Sequence, residues 1–258
     1  MKLFDNPFSP FARKVRMVLD YKQLDFETID GLDRANAGEL EAVNRRVEVP
    51  TLVDGEVVVV NSADIVAYLE HTHPERPIYP ADPAARVQAR AWERCADDVI
   101  DPILADISYW IWAERPDSMP EGMKEAAQRD LDQVYAALER DLRGRQFVCG
   151  ELSIADIALF PHLAAVRALG VSFSPEQHPG LTAWLKRMRA REMCRADLDR
   201  ARSYVADIGG HNLERRKLFW RGDRIEWVLA RGYHDWFVQE IRDDRVIWPG
   251  LGVPGPRR

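Results

Sequence analysis

Four prolines at three-residue spacing, Pro74, Pro77, Pro80 and Pro83, divide this chain into two parts that follow different periodicities. Proline removes a backbone donor and pushes the residue before it out of the helical region, so neither helix nor sheet runs through such a stretch. Before it, extended and helical signals alternate; after it, apolar residues recur at three- and four-residue steps. The chain therefore reads as an α/β domain over residues 1–78, a linker, and an all-helical domain over 84–206. Its 258 residues, 46% of them apolar, suffice for two cores.

Within the first part, Lys2-Leu3-Phe4-Asp5 is extended, and Phe11 to Leu19 is an amphipathic run. Ser9 and Pro10 stand between them. Serine is a preferred N-cap and proline suits the first helical position, so the Ser9 hydroxyl is expected at the positive end of a helix dipole. That position serves either as a simple cap or as an anion-binding active site. A strand at Asp25 to Ile29 and a helix near Ala35 to Val43 follow. Pro50-Thr51-Leu52-Val53, a turn at Asp54-Gly55, and Glu56 to Val60 read as a β-hairpin, because Asp-Gly favours the turn and valine the pleat. Ser62 is expected to cap the next helix, which carries Ile65, Val66 and Leu69 on one side. The order is βαβαββα, a mixed sheet with helices on its faces. Val49-Pro50 is a candidate cis bond that would turn the Val49 main chain outward to pair with an extended peptide ligand. Ser62, at a helix start, suits a carboxylate.

Beyond the linker, a helix from Ala84 to about Ala113 is expected to kink at Pro102, and a second spans about Glu121 to Leu142. Ser153-Ile154-Ala155-Asp156 has capping-box spacing before the apolar segment Ile157 to Leu169, with Gly170 as its stop. Segments from Leu181 to about Arg191 and on to about Ala206 complete the helical domain. Residues 207–258 form an extension with Trp220, Trp227, Trp236 and Trp248 and two short helices near 223–230 and 233–243. Tryptophans so spaced bring large apolar area, and the extension is expected to pack on the helical domain.

Several function classes are excluded. Net charge is -6 with cations and acids interspersed, which disfavours nucleic acid and anionic membrane as partners. No apolar run is long enough to span a bilayer and the N-terminus lacks a secretion signal, so a soluble cytoplasmic protein is expected. Three cysteines with no Cys-x-x-Cys pair and six histidines without ligand spacing indicate neither disulfides nor metal. Dinucleotide, phosphate-loop and serine-hydrolase glycine motifs are missing.

Ser9-Pro10-Phe11 with Arg13-Lys14-Val15, then Val49-Pro50, Asn61-Ser62, Ile65 with Tyr68-Leu69, and Ser153-Ile154-Ala155-Asp156 follow one another in an order and spacing that resembles the cytosolic glutathione transferases. The resemblance covers residues 1 to about 205. It implies a thioredoxin-like domain followed by a helical domain, glutathione as co-substrate with no metal, and a homodimer. It places Ser9 beside the glutathione sulfur, and Phe11, Glu48, Val49, Pro50, Asn61 and Ser62 around the tripeptide. Phe8, Tyr109, Trp110 and Trp112 would line a pocket for a hydrophobic or aromatic electrophile between the domains, with the tryptophan-rich extension folding near it. The implied activity is transfer of glutathione to such an electrophile, with isomerisation and ether cleavage as related uses of the same thiolate. A non-catalytic binding or scaffold role is the other class. Two positions depart from the family pattern: Asn61 stands where glutamate or glutamine is usual, and Glu48 where lysine or glutamine is usual. The Glu48 carboxylate would repel the glycyl carboxylate of glutathione unless Arg45, Arg46 or Arg13 intervenes or Glu48 points to solvent.

Overall fold

The computed structural model describes residues 1–112, 119–207, 218–219 and 222–247. Its chain divides into two compact units, one holding Met1–Ile78 and Ala190–Glu214 and the other Tyr79–Arg189 and Arg215–Trp248.

In the first unit β1 (Lys2–Asp5) runs parallel to β2 (Glu27–Asp30), and antiparallel to β3 (Thr51–Asp54), which pairs with β4 (Val57–Val60). The sheet order is β2-β1-β3-β4. Leu3, Phe4 and Leu52 from its central strands are essentially buried. The hairpin turn is Gly55-Glu56, one residue later than the Asp-Gly pair suggests, because Gly55 supplies the left-handed φ of 59° at the first loop position. Helices α1 (Pro10–Lys22), α2 (Ala37–Val43) and α3 (Ser62–Thr72) complete the βαβαββα order. Asn61, not Ser62, caps α3: its Oδ1 accepts the Ala63 N–H at 2.9 Å. Asn61 sits at φ 72°, a conformation that asparagine tolerates far better than serine, and this moves Ser62 to the first helical position.

The helix α9 (Glu192–Ala206), which the sequence assigns to the second domain, groups instead with this first unit. It packs on α1 and neutralises it. Arg13 and Arg16 of α1 are 8% and 1% exposed, and Asp197 of α9 is fully buried between them. Asp197 takes the Arg13 Nη2 at 2.7 Å and the Arg16 Nη2 at 2.9 Å, while Arg16 also pairs with the buried Asp5 of β1. Two guanidinium groups thus meet two carboxylates, so each of these buried charges has a partner of opposite sign. Burial pushes the Asp5 carboxyl up and Arg16 opposes it.

The second unit is helical. Asp82 caps α4 (Pro83–Cys95), accepting the Ala85 N–H at 2.8 Å. The chain then widens into a π turn at Ala96–Ile100 before α5 (Asp101–Trp112). The expected kink at Pro102 takes this form: proline has no N–H for the carbonyl four residues back, and the widened turn absorbs the defect. Helices α6 (Met123–Asp141), α7 (Ile154–Leu169) and α8 (Pro179–Arg189) follow. Ser153 and Asp156 form the expected capping box. Asp156 is 0% exposed and accepts Val148 N–H, Ser153 N–H and the Trp184 indole N–H at 2.8–3.0 Å, so its charge is solvated by fixed donors.

The extension contributes α10 (Gly222–Ala230), α11 (His234–Arg242) and the paired β5 (Leu218–Phe219) and β6 (Val246–Ile247) to this same unit. Asp130 of α6 anchors α10, accepting the Trp227 indole N–H at 2.9 Å and the Arg231 Nε at 2.8 Å. Trp220, Trp248 and the proline- and glycine-rich tail lie outside the described residues.

Candidate active site

Strand register brings the three sequence motifs to one end of the sheet. Phe4 near the end of β1 pairs with Thr51 at the start of β3, and Thr51 pairs with Val60 at the end of β4. Ser9 follows β1, Val49-Pro50 precedes β3, and Asn61-Ser62 follows β4, so all three emerge along one row of three neighbouring strands. Adjacent strands lie about 4.8 Å apart, so that row spans about 10 Å. An extended tripeptide of roughly 3.3–3.6 Å per residue matches this width.

At one side stands Ser9, the N-cap of α1, with φ −74° and ψ 112°. Its Oγ accepts the Ala12 N–H at 3.3 Å, and among the described residues no acceptor takes its hydroxyl proton. The hydroxyl is half-buried and free to donate at the positive end of a helix whose first residue is proline. Phe8 is half-buried beside it, whereas the Phe11 side chain is in the core at 8% exposure. What Phe11 offers a ligand is main chain at the first turn of α1.

In the middle, the Val49-Pro50 bond is cis, as expected. Among the described residues no backbone carbonyl takes the Val49 N–H. The loop is fastened just before it. Glu48 O accepts from the Thr51 hydroxyl at 2.9 Å and from Asn44 Nδ2 at 3.2 Å, and Asn44 Nδ2 also reaches Thr51 Oγ1 at 2.9 Å. The Val49 side chain fills the space beside Gly31, where a Cβ would come within 2.4 Å of Val49 Cγ1. The Glu48 carboxylate accepts a hydrogen bond from Arg46 Nη2 at 3.0 Å, and its other oxygen lies 3.0 Å from Arg46 Nε as an ion pair. Arg13, the other cation near in sequence to the site, is committed to Asp197 and does not intervene. Arg45 is exposed.

On the far side, Ser62 is 3% exposed at the first position of α3 and its hydroxyl makes no hydrogen bond among the described residues. The preceding Asn61 holds φ 72° and ψ 128°, a sparsely populated conformation of the kind that marks ligand clamps.

The aromatic residues expected to line a pocket behave otherwise. Tyr109 and Trp110 are 4% and 1% exposed in the second unit, edge to face with each other at 4.8 Å. Trp236 of α11 packs against both at 5.9 and 5.4 Å, and the Tyr109 hydroxyl donates to Glu240 at 2.7 Å. They are interior residues, and the extension supplies one of the rings packed on them. The Trp112 side chain lies outside the described residues. Among the described residues no group of three or more histidine, cysteine or acidic side chains could hold a metal ion. No described helix is long and apolar enough to cross a membrane.

Asn6, Asn44, Gly31 and Tyr204 shape this end of the sheet and were not evident from the sequence. Only Asn44 left a trace there, as a turn-forming residue closing α2 shortly before a proline.

Comparison with known proteins identifies the family of both domains. Residues 3–77 match the glutathione S-transferase N-terminal domain and residues 112–187 the C-terminal domain. The chain is 32% identical over 173 residues to a zeta-class glutathione S-transferase of Euphorbia esula, covering 64% of this chain and 75% of that protein. It is 27% identical over 195 residues to glutathione S-transferase U1 of Arabidopsis thaliana, covering 72% and 83%. A glutathione S-transferase from Methylobacillus flagellatus, solved with glutathione bound, is 26% identical with a TM-score of 0.64, covering 76% of this chain and 98% of that one.

Proposed function

This chain belongs to the glutathione transferase family, and from that membership we propose that it is an enzyme in which Ser9 stabilises the thiolate of glutathione for attack on a hydrophobic, electrophilic small molecule. The observation that carries the reading is the row formed by Ser9, Val49 and Ser62 across β1, β3 and β4, as wide as an extended tripeptide, with a serine hydroxyl at one end whose proton has no acceptor among the described residues.

The chemistry follows from the acidity of a thiol. With an ordinary pKa near 8.5, only about 3% of glutathione is thiolate at pH 7. A hydrogen bond to a charged acceptor contributes about 1.5–3 kcal/mol and the first turn of a helix about 0.3–1 kcal/mol. Together they lower the thiol pKa by about 2 units, or about 2.7 kcal/mol, and raise the thiolate to roughly three quarters at pH 7. Serine makes this hydrogen bond without forming a covalent adduct or a disulfide, which favours addition, substitution, isomerisation or ether cleavage by the thiolate over thiol exchange. The Val49 main chain pairs with the cysteinyl portion. Ser62 and the N–H groups opening α3 hold the γ-glutamyl carboxylate. Glu48 binds no substrate; it orients Arg46, and the neutral pair leaves guanidinium N–H groups for the glycyl carboxylate. Valines 57 and 58, 45% and 40% exposed on the edge strand β4, support assembly as a homodimer, and we place the enzyme in the cytoplasm.

Calorimetric titration with glutathione, followed by thiolate absorbance of the complex against pH, tests the reading. Wild type binds and shows thiolate below pH 7, and Ser9→Ala binds similarly but loses about 10-fold of that thiolate at neutral pH. Absence of binding at millimolar glutathione would remove the enzymatic reading in favour of a scaffold role.

A further inference from the structure

The turn that carries Ser9 is held by a group from α9. Asn6 is fully buried and both ends of its amide are engaged. Its Oδ1 accepts the Phe8 N–H at 2.9 Å, and its Nδ2 donates at 2.9 Å to both Asp30 Oδ1 and the Tyr204 hydroxyl oxygen. The Asn6 carbonyl accepts the Ser9 N–H at 3.0 Å. One side chain therefore fixes the path from β1 into α1.

Tyr204 braces that amide in the orientation that Asp30 Oδ1 and the Phe8 N–H also require. Its hydroxyl donates to Asp30 Oδ2 at 2.7 Å, so toward Asn6 it can only accept. Nδ2 must then face Tyr204, and Oδ1 is left for the Phe8 N–H. The ring of Tyr204 also meets Phe8 edge-on, with centroids 4.9 Å apart and planes at 82°. Tyr204 is 7% exposed, and burial followed by the hydrogen bond to Asp30 pushes its phenol well above the usual tyrosine range. It keeps the proton that this arrangement needs.

We infer that Tyr204 is a positioning residue for the Ser9 chemistry: through Asn6 and Phe8 it sets the turn that aims the Ser9 hydroxyl at the sulfur. The inference rests on the reading of Ser9 as the thiolate-stabilising group. A hydrogen bond weakens steeply as its angle departs from linearity, so a turn loosened by the loss of one phenol oxygen is felt at Ser9 although no bond to Ser9 itself is removed.

The test compares wild type, Tyr204→Phe, Ser9→Ala and the double variant, each full length with bound glutathione, by thiolate absorbance against pH and by calorimetry. Tyr204→Phe keeps the ring against Phe8. It is expected to lower the thiolate fraction about fivefold at neutral pH while glutathione affinity stays within about twofold. In the Ser9→Ala background the same substitution is expected to change nothing further. An unchanged thiolate titration in Tyr204→Phe, with Ser9→Ala shifted, overturns the positioning role alone. An equal shift in the Ser9→Ala background overturns it too and leaves Tyr204 a general structural part. No shift in Ser9→Ala removes the Ser9 reading and this inference together. If Tyr204→Phe melts below the assay temperature, the titrations of all four proteins are repeated at a temperature below its midpoint, with the same outcomes deciding.

Discussion

Removing the carboxylate of Asp197 should unfold the first unit before the second. Asp197 is fully buried and takes three N–H groups: Arg13 Nε at 3.1 Å, Arg13 Nη2 at 2.7 Å and Arg16 Nη2 at 2.9 Å. With Asp5 it balances two guanidinium charges, so Asp197→Ala leaves one positive charge uncompensated in the interior. Breaking such a pair costs about 3–5 kcal/mol, whereas replacing both partners with apolar groups is close to neutral. Arg13→Met with Asp197→Leu restores neutrality, because Arg16 keeps Asp5. The double variant should therefore recover more than half of the loss. Every described tryptophan falls in the second unit, and Cys194, 0% exposed with its sulfur 4.0 Å from Met17 Sδ, reports on the first. Thiol labelling at Cys194 across a urea series is the assay, with tryptophan fluorescence as the internal comparison. At a slope of about 2 kcal/mol per molar urea, Asp197→Ala should lower the Cys194 midpoint by about 2 M. A fall worth less than about 1 kcal/mol, or a double variant no better than Asp197→Ala, would refute the charge argument.

Val47 holds φ 51° in the loop before the cis bond, where a β-branched residue is disfavoured by about 1–2 kcal/mol. Val47→Gly should raise the melting midpoint by about 1–3 °C, after the entropy that glycine loses is counted, and a lower midpoint would show that the Val47 side chain packs productively. Burial pushes the half-exposed thiols of Cys95 and Cys149 up to about 11. Alkylation of either in the native protein at pH 8 should run about 200-fold slower than a free cysteine, with rates climbing toward pH 11, as peptide mass mapping would reveal. Burial likewise raises Tyr135, with Asp132 adding to it, and raises Tyr204. Folded values above the ordinary 10 mean that the stabilisation is complete below pH 10 and is lost as pH rises beyond it. Tyr135→Phe should flatten that alkaline loss in a melting series from pH 8 to 11, and an unchanged slope would count against it.

Local rules exposed much of this fold. Ser9-Pro10 opens a helix, valines flank a tight turn, and Ser153 and Asp156 form a capping box, because each depends on residues a few positions apart. The cap at Asn61 in place of Ser62 turned on a backbone angle that both residues conceal. The allegiance of α9 was hidden for a different reason. Asp197 and its neighbours Arg195, Asp199, Arg200 and Arg202 read as a solvated face, and nothing local says that one of those charges is buried against arginines 181–184 positions earlier. Tyr109 and Trp110 illustrate the same limit from the apolar side. Helical spacing shows that they are aromatic and adjacent, but not that Trp236 and Glu240, more than 120 residues later, come to pack on them. At the candidate site, Glu48 looked hostile to an anionic ligand until its carboxylate was found on Arg46, two residues away but set by the turn at Val47.

The grouping of α9 with the sheet widens the part of this chain on which the proposed glutathione site depends. Residues 1–78 contain Ser9, Val49 and Ser62, yet alone they carry two buried arginines against the single carboxylate of Asp5, and an Asn6 amide that has lost its contact with the Tyr204 hydroxyl. The helix that presents Ser9 is thus stabilised and oriented by residues that arrive only after the second unit has been threaded. Asp197 neutralises α1 one turn beyond Ser9, and Tyr204 orients the turn just before it. These two contacts divide the requirements of a thiolate site between them: a cationic helix end compact enough to exist, and a hydroxyl aimed well enough to use it. A fragment ending at residue 78 should accordingly fail to bind glutathione even though it holds every residue expected to touch the tripeptide.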